Sequence, residues 1–599
     1  MSNKYNAVAN FDSDVSQSFL KGAAILTVSM VIVKVFGLLD KVILERIFST
    51  LGGNYASMGM GLYSNAFEFF VVIFTVATGG LPIAISRLVS QNMTQKRYKD
   101  VRQIHKISIP FFTIVGAVCF LIVAGASFPY TYFVINQPYA FYAMLCLSPT
   151  VFFGCIASIY RGYYEGQRNM VPTAISEIIE AVVKLVIGAA LAYFIIIAGM
   201  KSYHSTGTFL GFHFIDKETA EKTILAFSVA GAIIGISLGS LCSFLFFVIK
   251  FKIQGDGIPR EYYENSIDAR EKRETFLIIV KTAVPIATGA LVMSLGGFID
   301  QIIIQRVLLH LAKTDGYDLF EQYGRFYPPK DFFDKDPTIH TSLLGCYSSA
   351  LTLMQLVTSV TQVFGSSAMP NVTSAWTKGD KRELKQSIDT VLRMTMMFTL
   401  PMAFGLCVLA HPLMGLIYSS DAIIQIGGNV LMLMGITTIF TAAINPICSM
   451  LNGIGRVKLP MTLYIICMLV KISTTWIFVS IPYINIQGAT AGSLIAYSLI
   501  CVIGMALLIK FSGVKPDFIG TTVKPLIGAT ICSAAAFFTH LLLSHVLNGR
   551  IATIISILVA VIVYVISLLI MRTFTATEIK FLPKGEKIAK VLEKCRLIG

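Results

Sequence analysis

Glu177, Glu180 and Lys184 stand at i, i+3 and i+7 in a stretch of chain that is otherwise apolar. That spacing gathers all three on one face of a helix, and Glu180 and Lys184, four apart, can pair along it. Comparable stretches carry Lys34, Asp40, Glu68, Asp300 and Lys471, and another carries Gln355, Thr358, Gln362 and Ser366 as a polar stripe. Lys34 and Lys471 have no acid three or four residues away in either direction. An ammonium without a local partner is a strong point charge for phosphate, so the chemistry on offer is the binding of a polyanion. The 11 cysteines are scattered singly with no C-x-x-C pair, which indicates neither a disulfide framework nor a metal site.

The elements that must position these residues are membrane helices. Of the 599 residues 55% are hydrophobic and 14% charged, with a mean hydropathy of +0.72, whereas an average soluble domain is about a quarter charged. Apolar stretches of the length that a helix needs to cross roughly 30 Å of hydrocarbon recur along the whole chain. Fourteen are predicted, at 22–44, 62–90, 107–128, 139–160, 170–200, 223–249, 276–305, 342–369, 387–410, 423–451, 459–481, 485–509, 522–546 and 551–571. They are too long and too uniformly apolar for barrel strands, which alternate over about ten residues. The start, with Asp12 and Asp14, lacks the basic opening of a signal peptide.

An even number of spans leaves both termini on one side, and the positive-inside bias makes that side the cytoplasm. Lys96, Arg97, Lys99, Arg102 and Lys106 follow the second span, a further cluster lies between Lys250 and Arg273, and a third in the tail beyond residue 572. The net charge of +15 is accounted for by basic loops against anionic inner-leaflet lipid. No nucleic-acid partner is called for.

Transporters are often built from duplicated halves, and a repeat is visible here. The second span ends GGLPIAIS with Pro82 and the eighth ends GSSAMPNVTS with Pro370; the fifth enters at Pro172 and carries Lys184, the eleventh enters at Pro460 and carries Lys471. GLLDKVILER, around Asp40, matches GFIDQIIIQR, around Asp300. The expected organisation is all-α and polytopic: a cytoplasmic tail 1–21, an N-lobe 22–253, a cytoplasmic linker 254–274, a C-lobe 275–511 with an external loop 308–341, two appended helices within 512–572 and a basic tail 573–599. Six helices per half is even, so the repeat is parallel and the two lobes should face each other across a central cavity.

A charge at the bilayer centre costs roughly 2.5 to 3.5 kcal/mol on insertion scales and usually faces a bundle interior or a watery cavity. The acids and Lys184 of the fifth span can be read as a structural ion pair between helices or as cavity lining. The eighth-span stripe reads as interhelical glue or as lining. For Lys34 and Lys471, one per lobe, cavity lining is expected. An anionic headgroup moving out of a negative cell interior would gain about 2.3 kcal/mol per charge per 100 mV.

The segments RGYYEGQRNMVPTAISEIIEAVVKL, from Arg161, and GLYSNAFEFFVVIFTVATGGLPIAISRLV, from Gly61, resemble the polysaccharide-export branch of the multidrug/oligosaccharidyl-lipid/polysaccharide superfamily. Within it the likeness is to Gram-positive lipid II flippases and their stage V sporulation relatives, and it runs through at least twelve helices. It implies a bacterial plasma-membrane protein that flips an undecaprenyl-diphosphate-linked saccharide; the sequence does not fix the oligomeric state, and a monomer is the expectation. The headgroup would occupy the cavity between the lobes while the polyprenyl tail stays in lipid. RGYYEGQRN is expected to be a tight cytoplasmic connection. Of the family's first-helix basic pattern, Lys34 matches the first arginine, but Asp40 stands where the second would be, followed by Lys41; lysine lacks arginine's bidentate fork. Some relatives bind sodium through a seventh-helix acid and polar groups of the eleventh and twelfth, which makes Asp300, Thr474 and Thr475 the candidates for coupling to Na+ or H+. Lys471 is expected to act as a tethered cation in sodium's place. No cofactor and no metal is expected.

Two other readings compete. A cation-coupled multidrug antiporter would expose acids such as Asp40, Glu68 and Glu177 in the cavity. A membrane glycosyltransferase or polymerase would need acids at the surface, and the D-x-D pairs Asp12/Asp14 and Asp334/Asp336 fall on opposite faces. The aromatic-rich loop 308–341 is expected at the headgroup level or over the outward exit.

Overall fold

The computed structural model describes residues 19–264, 266–314, 316–327, 338–456, 458–571 and 573. The D-x-D pairs, the C-terminal basic tail from 574 and Cys595 lie outside them. Among the described residues the chain is almost entirely helical: α1 (Phe19–Ser49), α2 (Gly53–Thr78), α3 (Leu81–Thr94), α4 (Tyr98–Pro129), α5 (Phe141–Gly166), α6 (Val171–Thr206), α7 (Lys217–Gln254), α8 (Arg260–Glu264), α9 (Lys272–Thr314), α10 (Gly316–Tyr323), α11 (Ile339–Lys378), α12 (Lys381–Val408), α13 (Ala410–Ile417), α14 (Asp421–Gly453), α15 (Lys458–Val479), α16 (Ile486–Ser512), α17 (Lys524–Ser544) and α18 (Gly549–Ile570). Among the described residues, twelve spans are long and apolar enough to cross a membrane. The other two predicted spans, the first and the eighth, are the 31-residue α1 and the 40-residue α11.

The structure divides into two compact units, residues 1–313 with 323–345, and 314–322 with 346–599. Packing therefore groups α9, which the repeat assigns to the C-lobe, with the first unit.

Within the first unit, α1 sorts its faces by polarity and size. Val28, Val31, Val35, Leu39 and Ile43 form an exposed apolar stripe at helical spacing, and Ser29, Asp40, Leu44, Ile47 and Phe48 are buried on the other side. The predicted second span is broken into α2 and α3 at Gly79–Gly80. A Cβ on Gly80 would stand 2.5 Å from the Ala283 carbonyl oxygen and 2.7 Å from Ala287 N of α9, so the break seats α9 against the bare backbone.

RGYYEGQRN is not the expected loop. α5 continues to Gly166 and places Arg161 inside the helix. Its glycines serve packing instead: a Cβ on Gly162 would meet Pro82 at 2.6 Å and one on Gly166 would meet Val89 at 2.6 Å, both on α3. The turn's positive φ falls on Arg168, at 62°. Pro172 sits in the first turn of α6 as expected. The predicted loop 308–341 also starts later, because α9 runs to Thr314 and α10 follows.

In the second unit α12, α14, α15, α16, α17 and α18 enclose a core that includes Leu400, Ile447, Ile500 and Cys532. The Tyr564 hydroxyl of α18 donates to the Met397 carbonyl of α12 at 2.6 Å, tying the last helix to the bundle.

Candidate functional site

Glycines decide where the charges of α6 stand. Gly231, Gly235 and Gly239 recur every fourth residue on α7, facing Gly188 and Ala192 of α6. A Cβ on Gly235 would lie 2.5 Å from Gly188 Cα, and one on Gly239 would lie 2.7 Å from the Glu180 carbonyl oxygen. Small residues at this interval let membrane helices touch through their backbones. The contact fixes the rotation of α6, and with it the directions of Glu177, Glu180 and Lys184.

The three then part company. Lys184 Nζ lies 3.1 Å from Asp40 Oδ2 of α1, whose side chain is 2% exposed, and 5.8 Å from the ring centroid of Tyr63 on α2. Glu180 Oε2 accepts from Arg161 Nη2 at 2.9 Å and its Oε1 accepts from Ser240 Oγ at 3.0 Å. Glu177 Oε2 accepts from Ser29 Oγ of α1 at 2.9 Å. The pair expected along the helix, Glu180 with Lys184, is thus replaced by two pairs between helices. Arg161 also donates from Nε to Ser176 Oγ and from Nη2 to Ser243 Oγ, each at 3.2 Å.

Lys34 and Lys41, two turns apart on one face of α1, lie within electrostatic reach of Lys184. Glu68 bears on Lys41, and its Oε2 would stand 3.7 Å from a Cβ on Gly297 of α9. The first unit therefore gathers Lys34, Lys41 and Lys184 with Asp40 and Glu68. This is a mid-helix cluster with one excess positive charge.

Asp300 is buried on α9. Its neighbour Gln301 donates from Nε2 to Asn65 Oδ1 of α2 at 2.9 Å, and Thr75 and Ser294 hydroxyls meet at 2.9 Å. These two contacts hold α9 on α2.

Lys471, Thr474 and Thr475 belong to α15 of the second unit. Lys471 Nζ lies 5.9 Å from the centroid of the Tyr497 ring, a cation–π distance. Thr474 Oγ1 donates to carbonyls of its own helix and to Gly492 O of α16 at 3.1 Å. Thr475 is fully buried where a Cβ on Gly492 would meet its backbone N at 2.7 Å. Both threonines thus lie in the α15–α16 contact. Gln355 is exposed on α11, and the side chain of Gln362 lies outside the described residues.

Ser29, Tyr63, Ser240 and Ser243 escaped sequence reasoning. Isolated serines and tyrosines in apolar helices give no periodic signal. Only the cost of leaving a charge unpaired could have sent the search for them.

A model of the polysaccharide biosynthesis protein family matches residues 19–376, more than half of the chain. The chain belongs to that family. A second model, described as MatE, matches residues 338–477. Stage V sporulation protein B of Bacillus subtilis (strain 168) is 22% identical over 498 residues, covering 82% of this chain and 84% of that protein. Lipid II flippase MurJ of the same strain is 18% identical over 511 residues, covering 83% and 84%. A solved structure, lipid II flippase MurJ in an inward closed conformation, superposes with a TM-score of 0.58 at 15% identity, covering 91% of this chain and 98% of that one. That likeness shows the fold. The chain is a multi-pass, mostly helical membrane transporter of the multidrug/oligosaccharidyl-lipid/polysaccharide superfamily.

Proposed function

We propose that this protein flips an undecaprenyl-diphosphate-linked saccharide, foremost the peptidoglycan precursor lipid II, from the inner to the outer leaflet by alternating access, serving cell-wall, spore or other polysaccharide synthesis. The observation that carries the proposal is the placement of the two mid-membrane lysines. On α1, Lys34 falls roughly a third of a turn away from the centre of the exposed apolar stripe, taking 3.6 residues per turn. On α15, Ile466, Leu469, Trp476 and Ile477 are exposed, and Lys471 falls on the opposite face. Lys471 thus lies away from the exposed apolar face of its helix, while Lys34 is exposed at the edge of its own, beside Met30 and Val31; we read both as charges that meet the substrate, since an ammonium left among acyl chains is costly.

The excess positive charge around Lys34, Lys41 and Lys184 suits a diphosphate, for which ammonium groups serve as point charges. With both termini in the cytoplasm, outward movement of the anionic headgroup runs down the membrane potential. Lys471 serves as the tethered cation, with Asp300 as the acid that any Na+ or H+ coupling would use. A sodium-dependent headgroup affinity that vanished on Asp300→Asn while Lys471→Ala was harmless would remove that assignment.

The drug-antiporter alternative needs acids available to a cation, and of its candidates Asp40 is already paired with Lys184. Depleting the protein and identifying which undecaprenyl-linked intermediate accumulates in the inner leaflet tests the reading. Accumulation of none, with loss of cationic-dye efflux instead, would overturn it in favour of the antiporter.

A further inference from the structure

The α6–α7 pair ends in a small hairpin with an unusual composition. Thr208–Phe209 and Phe212–His213 pair antiparallel, joined by Leu210 and Gly211 at φ 48° and 84°. Positive φ at both central residues is the tight two-residue hairpin turn whose twist suits the flanking strands. Leu210 is 66% exposed, Phe212 48% and Ile215 100%. Two large apolar side chains, Leu210 and Phe212, are thus presented by the hairpin, and Ile215 follows it before α7.

The hairpin does not project away from the helices. Gly207, at φ 68°, closes α6 in the left-handed conformation and reverses the chain. Thr208 O then accepts from Ser202 Oγ at 2.7 Å, and the buried Phe209 ring lies 5.6 Å, edge on, from Phe227 of α7. Phe227 in turn stacks on Tyr142 at 4.3 Å. Depth along the pair can be read from its crossings: Ser228 Oγ donates to Ala192 O, and a Cβ on Gly199 would meet Ile224 at 3.0 Å. Phe227 is therefore level with residues 192–199 of α6. There Tyr193, Phe194 and Ile197 are exposed, continuing the exposed apolar stripe of Val182 and Val186. The hairpin folds back to that level.

We infer that this hairpin is an interfacial anchor, inserting Leu210 and Phe212 among the lipids of one leaflet beside α6. By the orientation proposed above this is the outer leaflet; the anchoring itself does not depend on the substrate. Three features favour lipid as the occupant. The apolar tip lies level with the exposed apolar face of α6, a helix long and apolar enough to cross a membrane. Tyr142 stacks on Phe227 beneath it, the Tyr203 ring lies 6.5 Å from Phe214 beside it, and Tyr193 is exposed on α6, tyrosines being the residues of the aromatic belt at a membrane interface. Lys201 and Lys217, at the outer ends of the two helices, can snorkel to the headgroups.

The test uses the full-length protein in vesicles, with its two native tryptophans, Trp376 and Trp476, replaced by phenylalanine. Leu210→Trp and Ile215→Trp are made separately, the second at a side chain with no packing to lose. Folding is checked by monodisperse elution in detergent. Leu210→Trp is expected to lose most of its fluorescence in lipids brominated on the acyl chains and to be shielded from aqueous iodide. Ile215→Trp, at the start of α7, should be quenched less by bromine and more by iodide. Iodide quenching of Leu210→Trp without bromolipid quenching would overturn the anchor. Protection from both quenchers would also overturn it, because a protein surface or a second copy would then cover the tip. If Leu210→Trp does not fold, Phe212→Trp reports the same two outcomes.

Discussion

Lys184 Nζ reaches Asp40 Oδ2 across 3.1 Å, joining α6 to α1 through a carboxylate that is 2% exposed. Breaking a buried pair strands the surviving charge, which typically costs about 3 to 5 kcal/mol. Asp40→Asn is therefore expected to lower the melting temperature in detergent more than Glu177→Gln, whose carboxylate only accepts from Ser29. Lys184→Met should be as damaging as Asp40→Asn, and Asp40→Leu with Lys184→Met should recover much of the loss. A double-mutant cycle showing simple additivity would mean that the two groups do not interact.

What could be read from sequence, and what could not, divides along a physical line. Long apolar runs dictate helices in lipid because every backbone polar group must be satisfied inside the segment, so α4, α6, α7 and α16 fall where the runs predict. Spacing along one helix likewise names a face. It does not name what the face meets. Glu180 and Lys184 satisfy the rule for a pair along the helix, yet Arg161 of α5 and Asp40 of α1 capture them. Gly162 and Gly166 looked like turn residues because a turn and a bare helix contact ask for the same missing Cβ; only the neighbour α3 separates the two. The hairpin at Thr208 is too short to leave a strand pattern.

Arg161 uses both sides of its guanidinium, Nε to Ser176 and Nη2 to Glu180 and Ser243. Lysine brings a point charge without that fork. Arg161→Lys is expected to keep the charge and still cost about 1.5 to 3 kcal/mol, the range for a hydrogen bond to a charged group. Arg161→Met should cost more, because it leaves Glu180 without a cation. Thermal unfolding in detergent ranks the two variants, and equal melting temperatures would reduce the role of Arg161 to its charge.

Gly235 and Gly37 offer a matched contrast. An added Cβ at Gly235 would press on Gly188 Cα at 2.5 Å, whereas at Gly37 nothing lies within 4 Å. Gly235→Ala must push α6 and α7 apart, and overpacking of this kind costs about 1 to 3 kcal/mol. Gly37→Ala removes conformational freedom from a helix interior and should be neutral or slightly stabilising, by up to roughly 1 kcal/mol. The pair of melting temperatures checks both.

The connection between α7 and α9 is held down by Asp256. Its Oδ2 accepts from the Tyr263 hydroxyl at 2.5 Å and lies 3.4 Å from Arg102 Nε of α4. Its carbonyl accepts from Gln167 at 3.0 Å. Burial and the Asp256 carboxylate raise the Tyr263 phenol above its ordinary value, so the hydrogen bond persists through neutral and moderately alkaline pH. With the folded value raised, its contribution is complete below the phenol's unfolded value of 10.0 and is lost only as pH rises beyond it. At pH 8, Tyr263→Phe and Asp256→Asn should each speed tryptic cleavage near Arg270, Lys272 and Arg273. Unchanged cleavage would assign the clamp to other contacts, such as Lys99 with Asp268 at 2.7 Å.

Lys34 and Lys471 carry the functional proposal, and their substitution separates binding from stability. Lys34 is exposed on α1, and removing an exposed charge rarely moves stability beyond about 0.5 kcal/mol. Lys34→Ala should therefore leave the melting temperature nearly unchanged while reducing transbilayer movement of a fluorescent polyprenyl-diphosphate saccharide in vesicles by roughly ten-fold, as expected for loss of one charge-assisted contact of about 1.5 kcal/mol. Lys34→Arg should restore the rate, because the guanidinium supplies both the charge and a fork for phosphate. Lys471→Ala is expected to weaken transport to a comparable degree. A Lys34→Ala protein that moved the lipid at the wild-type rate would show that this ammonium does not meet the headgroup.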